Sequence, residues 1–192
     1  IAADDAAVWV ANNRAETLSR IDPAIGAVAA TVPVTERPAG VAVGSGSVWV
    51  SNPKGNSVSR IDPATNSIVA TIATGHVSAA LAAGDGAIWV ANVRAGTVSR
   101  IDPGTNTVVA EIPVGNRPIT FAVGDGAVWV ANVEDNTVSR IDSADNRVTA
   151  TVAVHSDPSG LVVVDGTLWV ANEGDGVLSR LPASTSGATR RQ

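Results

Sequence analysis

Trp9, Trp49, Trp89, Trp129 and Trp169 stand forty residues apart in a chain of 192. Arg20, Arg60, Arg100, Arg140 and Arg180 keep the same step, as do Asn12, Asn52, Asn92, Asn132 and Asn172, and no insertion disturbs the frame. A period of this length marks an array of supersecondary units, each too small to bury its own apolar face and each covering its neighbour's.

Within one period the segments are short and bounded by turn formers. The second copy reads "GVAV", the turn "GSG", then "SVWVSN", a polar link, "SVSRID", the turn "PATN" and "SIVATI". Runs rich in Val, Ile and Thr between Gly, Pro, Asn and Asp predict four antiparallel strands per copy, and no stretch carries a helical period. Gly in "GSG" and "GDG" supplies the positive φ of a tight hairpin. In Asp62-Pro63-Ala64-Thr65-Asn66, Pro suits the second position of a type I turn and Asn the left-handed position that follows. Neither turn is a phosphate loop, which needs Lys-Ser/Thr and a helix behind it.

Apolar runs such as "AVWVA" predict strands covered on both faces, as when small sheets stand side by side around an axis. The expected fold is therefore all-β: a β-propeller of five four-stranded antiparallel blades built on the forty-residue repeat. One domain, 1–192, divides into blades near 1–35, 36–75, 76–115, 116–155 and 156–192. The last is degenerate, because "LPASTSGATRRQ" after Arg180 loses the Asp, the Asn and the apolar strand. The tryptophans are expected to fill the seams, each burial removing roughly 150–250 Å² from water. Arg20, Arg60, Arg100, Arg140 and Arg180, each but the last with an Asp two residues on, are expected to serve structure as ion pairs or turn anchors. A closed five-bladed ring, monomeric, is the preferred arrangement. The alternative is an arc completed by another chain or by missing blades, since open end faces on the order of 300 Å² each would otherwise stay wet.

The pattern "VWVAN…NTVSRIDP" followed by "VVATIPVG" resembles the YVTN repeat of YncE-like bacterial β-propellers, here with Trp-Val-Ala-Asn where that family often writes Tyr-Val-Thr-Asn. The resemblance runs along almost the whole chain. It implies a ring of commonly seven or so blades, in a secreted or periplasmic protein or in the sensor region of a larger bacterial regulator.

Composition narrows the function. A formal charge of -5 argues against a nucleic-acid surface, which needs excess Lys and Arg. With no Cys there is neither a disulfide framework nor a thiolate metal site. No uninterrupted apolar run is long enough for a membrane span. Ile1 is not preceded by a basic and apolar leader, so a secretion signal is expected to have been removed or never present.

The copies differ mainly in two places: the link between the second and third strands, and the link to the next blade. Propeller geometry brings both to one rim, where loops on a rigid frame make binding sites. That rim is expected to carry Arg14, Glu16, Glu36, Arg37, Lys54, His76, Arg94, Asn116, Arg117, Glu134, Asp135, His155, Asp157, Glu173 and Asp175. Arg14, Arg37, Lys54, Arg94, Asn116, Arg117, Glu134, Asp157 and Glu173 are the candidate ligand-binding residues. His76 and His155 are weak catalytic candidates, and an exposed loop histidine is the plainer reading of each. A propeller lyase of the virginiamycin B type would want a histidine, an acid and a metal grouped on this face, and no matching motif stands out. Asp142, Asp145 and Asn146, or Glu173 and Asp175, could touch a cation, but neither set fits an EF-hand loop. No metal and no cofactor is expected.

The leading expectation is a non-enzymatic binding, sensor or scaffold module, presenting its loop face to a protein, peptide or small ligand outside the cell or in the envelope. A lyase- or hydrolase-like enzyme on the same rim and a structural assembly unit are the alternatives.

Overall fold

A computed structural model describes residues 1–34, 36–75, 78–124 and 126–183. Its regular structure is all β, in five antiparallel sheets whose strands follow chain order. The first comprises β1 (Ala2–Ala3), β2 (Val8–Asn12), β3 (Thr17–Asp22) and β4 (Ala27–Pro33). The second comprises β5 (Val41–Gly44), β6 (Ser47–Asn52), β7 (Ser57–Asp62) and β8 (Ser67–Ala73). The third holds β9 (Ser78–Gly84), β10 (Ala87–Asn92), β11 (Thr97–Asp102) and β12 (Thr107–Pro113). The fourth holds β13 (Pro118–Gly124), β14 (Ala127–Asn132), β15 (Thr137–Asp142) and β16 (Arg147–Ala153). The fifth has three described strands, β17 (Pro158–Val164), β18 (Thr167–Asn172) and β19 (Val177–Pro182), and the tail expected to form a poor fourth lies outside the described residues. No helix among the described residues is long and apolar enough to cross a membrane.

Turn chemistry sets each blade's register. Ser45 and Gly46 both take positive φ, at 51° and 68°, giving the doubly left-handed hairpin that matches strand twist. Asp85–Gly86 and Asp165–Gly166 repeat it, so the left-handed pair is the second and third residue of each triplet, not its two glycines. In the other turn Asn66 is left-handed as its type suggests, its N–H donating to Asp62 O at 2.8 Å. The Asp62 carboxylate accepts from Ala64 N and Thr65 Oγ1, which holds its pKa below the ordinary aspartate value.

The arginine does something else. Trp49 stands opposite Arg60 in the β6–β7 register, and the same pairing recurs in every blade. Arg60 lies over the Trp49 indole and reaches across the seam to Pro103 O at 2.7 Å and Asn106 Oδ1 at 2.9 Å in the next blade. The expected Arg–Asp pair is thus divided: the aspartate anchors its turn, and the arginine rests on the tryptophan. A second repeated device lies deeper. Asn52 Nδ2 donates to Ser57 and Ser59, and Asn92 and Asn132 make the corresponding bonds, pairing each buried Nδ2 between the second and third strands while the Oδ1 of each amide stays buried without a partner.

Each seam is a tryptophan of one blade against aliphatic residues of the next. Trp9 packs with Val48, Val50 and Ile61, Trp49 with Ile88, Val90 and Ile101, Trp89 with Val128, Val130 and Ile141, and Trp129 with Leu168 and Val170. Neighbouring inner strands β1, β5, β9, β13 and β17 run side by side around the axis. The preferred closed ring is not seen among the described residues. Among the described residues no core cluster joins the last sheet to the first. Trp169 is 38% exposed where the other four tryptophans are 0–3%, and Val162, Val164 and Leu178 are exposed around it. Val8, Val10 and Ile21 at the other end are half-buried, although their counterparts Val48, Val50 and Ile61 are fully covered. Repeat number fixes how many sheets there are, and among the described residues the first and last of them share no seam.

Candidate binding rim

Hydrogen bonds across the seams gather the two variable links on one rim. Asn13, between β2 and β3, donates from Nδ2 to Arg37 O and Pro38 O in the link entering the second blade. Val133 N donates to Arg117 O at 3.1 Å, and Glu173 N to Asp157 O at 2.9 Å, tying the later links in the same way.

The links carry backbone strain at one repeated position. Arg37, Arg117 and Asp157 have φ of 58°, 54° and 53°, and each precedes a proline. A residue before proline is pushed toward extended backbone, and a non-glycine in the left-handed region is uncommon. Holding it there costs about 1–3 kcal/mol, supplied by the surrounding bonds, and fixes where the charged side chain starts.

Two clefts on the rim use this position. The first, a cavity of 430 Å³, is lined by Asn13, Arg37, Pro53, Lys54 and Arg94, drawn from three blades. The second, of 360 Å³, is lined by Arg117, Ile119, Val133, Asp157, Ser159, Glu173 and Gly174. Six of the expected ligand-binding residues thus fall into clefts: Arg37, Lys54 and Arg94 in one, Arg117, Asp157 and Glu173 in the other. Arg14 and Glu134 are exposed on loops and line neither.

Asn116 is engaged in a clamp. Its N–H and its Nδ2 donate to the Asp135 carboxylate at 2.7 and 2.8 Å, which lowers the Asp135 pKa. One blade on, Asp175 accepts from Ser156 N at 2.9 Å and lies 3.3 Å from His155 Nδ1. The backbone bond is the main cause of a lowered Asp175 pKa, with His155 contributing less. His155 is solvent-exposed, its side chain at 61%, with Nε2 left for solvent or a ligand. His76 lies outside the described residues. Among the described residues no three His, Cys, Asp or Glu side chains gather as metal ligands would. Asn13 was not singled out by the sequence, because an asparagine beside the repeated Asn12 reads as loop filler. Its signal is the single-copy departure from the Pro or Val found at that offset in the next three copies.

The model of the virginiamycin B lyase family matches residues 1–174. No curated protein matches the chain. Among solved structures, Kuenenia stuttgartiensis hydrazine synthase superposes with a TM-score of 0.76 at 17% identity, over 93% of this chain and 63% of that one. A Staphylococcus aureus virginiamycin B lyase gives 0.78 at 19%, over 90% and 61%. A catalytically inactive histidine-to-alanine variant of the S. aureus enzyme, with quinupristin, gives 0.80 at 18%, over 95% and 68%. The chain spans about three fifths of the length of the first two of these, and identities this low carry the fold alone.

Proposed function

The chain belongs to the virginiamycin B lyase family, and from that premise we propose that its work is binding: a propeller arc presents a variable loop face to a small ligand, peptide or protein partner. The observation carrying this reading is the pair of clefts. Both are built from the same two places in the repeat, yet are lined by side chains that the repeat leaves free to differ. Fixed blades with a free rim are what recognition on a scaffold needs.

A thermal-shift screen of small polar molecules and peptides tests it. Ligands that stabilise the chain lose their effect in Arg94→Glu or Glu173→Lys and keep it in a substitution on an outer strand. Hits indifferent to both rim changes would defeat the reading.

The uncovered end faces are, in this proposal, seams that take further blades. The S. aureus lyase supports it: 90% of 192 residues amounts to 61% of that chain, which makes it about 280 residues, or seven repeats of forty. In this proposal, supported by the resemblance to YVTN-repeat propellers alone, the rim works outside the cell, in the bacterial envelope, or in the sensor region of a larger protein; fractionation of the native host checks this.

A second reading, a lyase, is favoured by the His155–Asp175 contact, because a carboxylate at Nδ1 orients an imidazole to act through Nε2. Its test is incubation with quinupristin and mass analysis of the product. Cleavage that disappears in His155→Ala would establish it, and intact quinupristin would leave binding as the function.

A further inference from the structure

We infer that the cleft lined by Asn13, Arg37, Pro53, Lys54 and Arg94 is a site for a multivalent oxyanion, a small molecule or group carrying two or more carboxylate or phosphate charges. The inference rests on the rim being a binding face and names the ligand class for one part of it.

Charge is the first argument. The protein has 18 acidic residues against 13 basic ones, yet this cleft draws three cations from three different segments and no carboxylate. The exception sharpens when their partners are sought. Arg20, Arg60, Arg100 and Arg140 are stacked on tryptophan and hydrogen-bonded. Among the described residues the side chains of Arg37, Lys54 and Arg94 make no ion pair and no hydrogen bond; the one ion pair there is His155–Asp175. Glu36, next in the chain to Arg37, is not part of the cleft lining: its carboxylate fills the space above Gly55, the residue after Lys54, and forms no ion pair with any of the three cations among the described residues. Like charges gathered without counter-charge repel, and an anion relieves that repulsion.

Placement is the second argument. Arg37 is held left-handed before Pro38, and Asn13 grips the carbonyls of both residues. The guanidinium therefore projects from a backbone fixed before any ligand arrives, which lowers the ordering cost of binding. The second cleft is an internal contrast: Arg117 occupies the same link position but faces Asp157 and Glu173, so its charge is offset. A cavity of 430 Å³ admits a molecule of citrate or pyrophosphate size.

Isothermal titration of the full chain with citrate and with pyrophosphate tests the inference and tells the carboxylate source from the phosphate one. Saturable one-to-one binding of at least one probe is expected. Its Kd should rise by about tenfold or more in Arg94→Glu and in Arg37→Ala, as for loss of a charge-assisted contact. It should change by less than about twofold in Arg147→Glu, which alters net charge equally on the exposed face of β16. Tryptophan fluorescence verifies that each variant is folded. Equal weakening by Arg94→Glu and Arg147→Glu, or no saturable binding of either probe, overturns the proposal. If the oxyanions fail while screened ligands respond to Glu173→Lys, the anion site falls and the binding rim stands; if neither responds, both fall.

Discussion

The Arg60 guanidinium lies 5.1 Å from the centre of the Trp49 ring, and the indole beneath it is wholly buried. The two residues face each other across β6 and β7, and Arg60 goes on to bind the next blade, so one side chain serves both the sheet and the seam. Arg60→Ala removes the cation–π contact and three charge-assisted bonds, to Ser47 Oγ, Pro103 O and Asn106 Oδ1, and should cost about 2–4 kcal/mol by urea denaturation. Arg60→Lys keeps the charge but not the fork, and should recover only part of that loss.

The tryptophans should not be equivalent. Trp49→Ala opens a cavity in a closed seam and should cost about 3–5 kcal/mol, whereas Trp169→Ala, at a face with no neighbouring blade among the described residues, should cost well under half as much. Acrylamide quenching gives the same contrast without mutating a seam: Trp169→Phe should abolish most of the quenchable emission. Equal quenching of all five indoles would contradict the open arc.

Two glycines at one repeat position should part company. A Cβ on Gly44 would stand 2.4 Å from Ala83 Cβ, while one on Gly124 meets nothing within 4 Å. Gly44→Ala should therefore destabilise by about 1–3 kcal/mol through overpacking. Gly124→Ala should be neutral or stabilising by up to about 1 kcal/mol, because it restricts only the unfolded chain. Thermal melts of the two variants decide it.

The rim clamps carry a pH signature. Asp135 and Asp175 are held below the ordinary aspartate value of 3.8, chiefly by the backbone N–H groups of Asn116 and Ser156. A depressed carboxylate stabilises the folded state above its unfolded pKa, and that contribution is lost as pH falls through the folded value. The Asn116 and Ser156 amide protons should shift together with midpoints below 3.8, and Asp175→Asn should erase the Ser156 transition alone. Midpoints at or above the ordinary value would remove the clamps.

The period made the blades legible, since forty-residue spacing, β-rich segments and turn residues agree with one another. What spacing could not give was partnership. Arg60 and Asp62 are two apart on one strand and so point to the same side, but Asp62 ends the strand, where the free N–H groups of the turn compete for its carboxylate. Ring closure was equally hidden, because it depends on an angle between sheets that no residue count records. On the rim, the positions were readable as departures from the repeat, but their grouping into a cationic cleft and a mixed one depends on which loops meet across a seam. The strain at Arg37 and Arg117 runs against what a residue before proline prefers, so local propensity pointed away from it.

Because every seam sets an indole from the earlier blade against aliphatic side chains of the later one, the arc has a direction. Its leading face shows the half-buried aliphatic side chains of Val8, Val10 and Ile21, and its trailing face an indole in water with Val162 and Leu178 exposed around it. Opening should accordingly begin at the fifth blade and travel backward one unit at a time, as a zip parts from its loose end, so that hydrogen exchange ranks the sheets in reverse chain order.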